Sequence, residues 1–190
     1  MFSILTATRA KAARLIKWDQ INFDKKTWTI PLENDKNKKQ SAERTIYLNE
    51  QAITLLNSIT HDCDYVFHNR LYEPFTDSMF CSLLKRLNKH RVEHRQQPFV
   101  DKNIFDKDGK PSLITQHGVA RAIFKIWSKA DDLGNNTNFD TDAVELCLLH
   151  TRKDPLKGAY DRSKFEKERK RVMKEWGDYC YSKMDVQNSK

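Results

Sequence analysis

Six side chains have chemistry that packing alone does not require: Arg9, Lys36, His117, Arg121, His150 and Tyr160. His117 and Arg121 fall four residues apart in QHGVARAIFKIW, a spacing that puts both on one face of a helix. Two readings are open for that pair. It is a solvated polar pair above an apolar face, or two groups converging on one substrate oxyanion. Taken singly, each residue has an ordinary explanation. An arginine at a helix start and a lysine in a lysine-rich loop are usually solvated. A loop tyrosine usually packs its ring and satisfies its hydroxyl.

These side chains must be positioned by elements that the residue pattern suggests. ATRAKAARLIK (7–17) is rich in helix formers, with Ala13 and Ile16 inward. TWTIPL (27–32) and ERTIYL (43–48) are β-rich runs around a polar tip that holds Lys36, which reads as a hairpin; a short strand at 20–23 extends it. Helices follow over 49–59 and 76–94, the second with Phe80, Leu83, Leu84 and Leu87 at helical spacing. Residues 95–112 read as a loop punctuated by Pro98, Gly109 and Pro111. The helix of His117 and Arg121 comes next, then a short helix over 143–150 that ends at His150. A last helix opens on a capping box, Ser163 and Glu166, and presents Val172, Met173, Trp176 and Cys180 on one face. Residues 183–190 are expected to fray. The fold class is α+β, mainly α, with one small antiparallel sheet.

Composition narrows the function classes. The 190 residues suffice for one domain with a real core, and 38% of them are hydrophobic, which argues against disorder. The net charge of +8 favours a polyanionic partner without naming it. Four cysteines (Cys63, Cys81, Cys147, Cys180) stand apart with no CxxC pair, so neither a zinc site nor a disulfide framework is indicated. No glycine-rich phosphate loop appears. No apolar run reaches the ~20 residues of a membrane span. The opening MFSILTATRAKAARLIKW places its basic residues after the apolar ones, the reverse of a secretory signal, so a cytoplasmic location is expected.

Four segments in order carry a resemblance. LTATRAKAARLIKW looks like LTGxRxxExxxLxW, with Arg9 at the arginine and Trp18 at the tryptophan. DQINFDKKTWTIPLENDK is similar to a strand–turn–strand leading to a lysine, here Lys36. ARAIFKIW resembles RxTFRxW, which places Arg121. AVELCLLHTRKDPLKGAYDRS is similar to VExxLxHxxxxxxxxAYxRS, which places His150 and Tyr160. The chain thus resembles the catalytic domain of the tyrosine recombinases, and most nearly the integrases of temperate phages and genomic islands. It departs from the pattern at Ala7, where a glycine is usual, at Ala12, where a glutamate is usual, and in HGVAR, which has one residue more than HxxR.

The resemblance implies attack by Tyr160 on a DNA phosphodiester, giving a 3′-phosphotyrosyl link and a free 5′-hydroxyl. Arg9 and Arg121 would hold the non-bridging oxygens, His150 would bond the same phosphate, His117 would handle a proton near the nucleophile, and Lys36 would protonate the departing oxygen. No metal and no cofactor is implied. The implied partners are double-stranded DNA attachment sites, a homotetramer on DNA and accessory DNA-bending or directionality factors, within the nucleoid of a bacterial cell and with no membrane. The chain opens almost directly on the first segment. The expectation is therefore an integrase catalytic domain over 1–190 without upstream core-binding and arm-binding domains. Rival readings are relaxation of supercoils by a type IB topoisomerase, which shares the 3′ linkage, and a catalytically silent DNA-binding module.

Overall fold

A computed structural model describes residues 1–34, 44–114, 118–150 and 162–188 and, at 103, 162–164 and 185–188, the backbone alone. Its first sheet forms where polar and apolar residues alternate. Ile21–Asn22 (β1), Thr27–Ile30 (β2) and Arg44–Tyr47 (β3) pair antiparallel in the order β1-β2-β3. Trp28 lies opposite Ile46 and Ile30 opposite Arg44, a register that sends Trp28, Ile30 and Ile46 into the core. The run expected over 27–32 stops at Ile30, because Pro31 has no N–H for the ladder. Leu32–Asn34 then make a 3-10 turn.

The helix expected over 7–17 is confined to Ala10–Arg14 (α2), and a further short helix, Phe2–Leu5 (α1), precedes it. They are separated at Ala7, whose φ of 50° lies in the left-handed region. Glu50–Asn57 (α3) begins close to where it is expected, because Asn49 caps it: Oδ1 accepts from the Ala52 N–H at 2.9 Å. The Nδ2 of that buried amide donates to the carbonyls of Leu5 and Met173 at 2.9 and 3.1 Å, so one side chain joins three helices.

Met79–Glu93 (α4) is a helix, as its spacing suggests, yet its apolar face is only partly covered, with Phe80, Leu83 and Leu84 half-buried. Leu87 is 43% exposed and Val92 58%, and Asn88 is the buried residue. Residues 95–112 are not merely a loop. Val100–Phe105 (β4) and Pro111–Leu113 (β5) pair antiparallel with a bulge between Asp101 and Phe105, and Gly109 at φ 73° makes the turn. The amide of Asn88 clamps this hairpin to α4: Oδ1 accepts from the Phe99 N–H at 2.6 Å and Nδ2 donates to the Phe99 carbonyl at 3.3 Å.

Gly118–Ala122 form a π turn that runs into Ile123–Trp127 (α5). Asn135–Asn138 (α6) is a further short turn, and Thr141–Cys147 (α7) is capped by Asp140, which accepts from the N–H groups of Asp142 and Ala143. The last helix, Arg162–Asn188 (α8), starts one residue ahead of Ser163, and its helical backbone continues into 183–188. It buries Val172, Met173 and Trp176 with Cys180 half-buried, the face its pattern predicts. Gly177 lets it approach α3. A Cβ there would stand 2.3 Å from Gln51 Oε1 and 2.7 Å from Asn49 Cγ.

Two apolar cores result. Phe2, Leu5, Ile16, Trp28, Leu56 and Val66 fill the one under the sheet. Ala7, Phe124, Trp127, Phe139, Val144 and Trp176 belong to the other, where the Trp127 ring lies 5.0 Å from Phe139 and 5.1 Å from Trp176. Burial pushes the thiol of Cys147 up to about 11 and that of Cys180 up to about 12, as befits small packing residues. No helix among the described residues is long and apolar enough to cross a membrane. The α+β class, mainly α, matches the sequence reading, with the β4–β5 hairpin as an addition.

Candidate active site

Of the six residues singled out from the sequence, Arg9, Arg121 and His150 lie within the described residues. Lys36, His117 and Tyr160 fall in 35–43, 115–117 and 151–161, outside them.

Arg9 takes the N-cap position of α2, with extended backbone and its carbonyl accepting from the Ala13 N–H. The segment before it is held from inside. Thr6 Oγ1 donates to the Phe2 carbonyl at 2.9 Å and shares a 2.8 Å hydrogen bond with Thr8 Oγ1, and both threonines are buried. Ala7 lies between them in a backbone region that costs an L-residue roughly 1–2 kcal/mol. A glycine would avoid that strain, but the Ala7 methyl is fully buried in the second core, and burying one methyl returns roughly 0.8 kcal/mol. The burial offsets part of the strain, which helps explain how alanine is tolerated where the family pattern carries glycine. Ala12, at the pattern's glutamate position, is buried against the first core.

Arg121 sits in the π turn and is 5% exposed. A π turn closes i→i+5 bonds and so absorbs one residue more than an α-helical turn. HGVAR is one residue longer than HxxR, and the π turn begins at the glycine of that segment. The guanidinium, taken out of water, needs acceptors. It donates from NH1 to the Ala7 carbonyl at 3.3 Å and from NH2 to His150 Nε2 at 2.7 Å. Arg121 thus hooks onto the segment that presents Arg9.

His150 is placed by the way α7 ends. The His150 N–H bonds the Glu145 carbonyl at 3.0 Å and the Leu149 N–H bonds the Leu146 carbonyl at 3.0 Å, which is a Schellman closure with Leu149 left-handed at φ 56°. Glycine normally fills that position. Here a leucine accepts the strain because its side chain is buried in the first core, and its carbonyl accepts from Arg44. The same closure brings the imidazole over its own helix, where Nδ1–H donates to Glu145 Oε2 at 2.5 Å. That bond fixes the tautomer and leaves Nε2 as the acceptor for Arg121.

Glu145 and Lys125 complete the cluster, and the sequence reading did not single them out. Lys125 Nζ donates to Glu145 Oε1, the carboxylate oxygen that His150 does not use. Burial works to raise the Glu145 carboxyl, but the bonds from Lys125 and His150 outweigh it and hold the group below the usual glutamate range. The available signal was Lys125 one turn after Arg121. The signal for Glu145 was hidden, since contact between residues five apart needs the left-handed closure at Leu149.

The cluster is therefore a row of Lys125, Glu145, His150 and Arg121, tied at its end to the loop of Arg9. Residues 1–99 match the profile of the phage integrase family. The chain belongs to that family. Two relatives of this integrase-family chain are the prophage integrase IntA of Escherichia coli (strain K12), 25% identical over 183 residues, and the integrase of Enterobacteria phage P4, 25% identical over 209 residues. The matches cover 94% and 99% of the chain but 37% and 42% of those proteins, so it spans about two fifths of their length. Its fold is similar to that of the Tn1549 transposon integrase (aa 82-397), a structure solved in complex with circular intermediate DNA. The TM-score is 0.51 at 13% identity, over 88% of this chain and 56% of that one.

Proposed function

We propose that this chain cleaves and rejoins DNA strands in site-specific recombination, through a covalent 3′-phosphotyrosyl intermediate on Tyr160. The observation that carries the reading is the buried Arg121 bonded both to His150 and to the Ala7 carbonyl, two residues from Arg9. A guanidinium and an imidazole held together beside the segment that carries a second arginine suit a phosphate better than any neutral substrate.

The chemistry follows from those groups. Phosphoryl transfer is catalysed largely by positioning and by stabilising charge on the non-bridging oxygens. Arg9 and Arg121 fork onto those oxygens, and once Arg121 turns from it to the phosphate, His150 in its doubly protonated form donates to the same phosphate from Nε2 while Glu145 holds Nδ1–H. The Tyr160 phenol loses its proton with help from His117 and attacks phosphorus. The bond to the 5′-oxygen breaks, and Lys36 supplies the proton that this oxygen takes. The covalent link keeps the phosphodiester energy, so a second 5′-hydroxyl can reverse the step and join a new strand. The partners that fit are double-stranded attachment sites bound by four copies of the protein, with accessory DNA-bending factors, at the bacterial nucleoid.

A nicked substrate that loses its 5′-hydroxyl fragment tests this directly. The unmodified chain should leave a protein–DNA adduct that survives denaturing electrophoresis, and Tyr160→Phe should leave none while still binding DNA. An adduct of equal yield with Tyr160→Phe would remove the nucleophile. DNA binding without any adduct would favour a silent module, and relaxation of supercoils without sequence preference would favour a topoisomerase.

A further inference from the structure

The segment between α3 and α4, HDCDYVFH over 61–68, plays no part in the proposed reaction. It is held against the chain that leaves α2: the Trp18 N–H bonds the Asp64 carbonyl and the Val66 N–H bonds the Ile16 carbonyl, both at 3.0 Å. Downstream, His68 bridges to Pro74, and the Asn69 N–H bonds the Glu73 carbonyl at 2.8 Å. A backbone fixed at both ends holds three different ligand types together. The donor atoms of Asp62, Cys63 and His68 all lie within 4.8 Å of one another.

The orientation of His68 is that of a metal ligand. Its Nδ1–H donates to the Asn69 carbonyl at 2.9 Å, which leaves the Nε2 lone pair facing Asp62 Oδ1 at 2.8 Å. Metal-binding histidines have this outer bond to a carbonyl. A lone pair facing a carboxylate oxygen is repulsive unless a proton or a cation lies between them. Ligands in a tetrahedron around zinc stand about 3.3–3.8 Å apart, so a contraction of about 1 Å at the widest pair closes the set. The side chains are graded in exposure, 18% for His68 against 38% for Asp62, which leaves an open side for a water as fourth ligand.

We propose that Asp62, Cys63 and His68 form a zinc-type divalent cation site that pins this segment. A thiolate, an imidazole and a carboxylate make a borderline donor set, suited to zinc or cobalt rather than to magnesium or calcium, which prefer oxygen alone. On binding, the proton between His68 Nε2 and Asp62 Oδ1 and the thiol proton of Cys63, which now points to the Tyr65 carbonyl, are both released to solvent, and the imidazole, carboxylate and thiolate take the metal. The site is structural: it ties position 62 to position 68 and so braces the strand-like stretch under Ile16–Trp18, at the far end of α2 from Arg9. In the metal-free chain a proton does the bridging.

The test uses the whole chain, with zinc followed by calorimetry and cobalt(II) followed by absorption. One equivalent of metal should bind, with a thiolate-to-cobalt charge-transfer band and tetrahedral d–d bands. Cys63→Ser should abolish that charge-transfer band, and Cys63→Ser and His68→Ala should each weaken zinc by at least ~10-fold. A second candidate pair, the stacked rings of His90 and His94 on α4, 4.0 Å apart, must be separated from the site. His90→Ala and Cys81→Ser should therefore leave affinity and spectrum unchanged. No binding by the unmodified chain, wild-type affinity in Cys63→Ser, or loss of binding in His90→Ala would each overturn the proposal.

Discussion

The corner that holds Arg121 and the arm made by α4 with the β4–β5 hairpin are opposites in composition and packing. In the corner, Arg121 is buried, Lys125 and Glu145 are half-buried and His150 is exposed, and each is matched: Arg121 to a carbonyl and an imidazole, His150 to Glu145, Glu145 to Lys125. In the arm, apolar groups are left in water, with Leu87, Val92, Ile104 and Phe105 all more than two fifths exposed. Burial is expensive for the first set and would be favourable for the second. The contrast teaches that matched bonds hold polar groups out of water in the corner while apolar groups of the arm stay in it. The corner is over-determined by bonds from three elements, whereas the arm depends on the Asn88 clamp.

The largest effect should come from Arg121→Ala. Removing a donor that stabilises developing phosphate charge should slow cleavage at least ~10²-fold. A loss of only a few-fold in single-turnover cleavage would place Arg121 among structural residues and erase the contrast. Glu145→Gln comes next. The amide keeps the volume but loses the charge that holds Lys125, and misorienting His150 should slow cleavage by roughly 10-fold or more. The same variant has a pH signature. A carboxyl held below its ordinary value stabilises the fold above that value and stops doing so as pH falls through the lowered one. The acid limb of the stability curve, below about 4.3, should therefore be shallower in Glu145→Gln than in the parent. Parallel limbs would show that Glu145 is not bonded as described.

Much of this was legible in the residue pattern, for identifiable reasons. Alternation in TWTI and RTIY gave the β2–β3 pairing. Helical spacing named Val172, Met173 and Trp176 as the inward face of α8. Two things were not legible. Ala7 and Leu149 carry positive φ without being glycine, because each is anchored by buried contacts that only the folded chain supplies. Ala7 keeps the first expected helix from starting before Ala10, and Leu149 folds His150 back onto Glu145, so the cluster's partners were hidden. The apolar spacing of α4 predicted a helix correctly, but periodicity does not say how deeply a face is buried, and here Phe80, Leu83 and Leu84 are half-buried while Leu87 is exposed. Proline and glycine in 95–112 marked turns, and one of those turns is the tip of a hairpin.

Smaller effects should appear in the arm. Asn88→Ala removes both bonds to Phe99 and should cost about 1 kcal/mol, with faster amide exchange at Phe99 and no change in cleavage. Leu87→Gln should be neutral within about 0.5 kcal/mol, as for other exposed positions. A cost of several kcal/mol in thermal or denaturant unfolding would mean that the arm is packed far more firmly than its exposure implies.

The most direct measurement is a crystal structure of the chain on a DNA half-site. The prediction is one phosphate touched at about 3 Å by the Arg9 and Arg121 guanidiniums and by His150 Nε2, with the Tyr160 oxygen in line behind the phosphorus. Arg121 and His150 still bonded to each other, with every phosphate out of their reach, would contradict it.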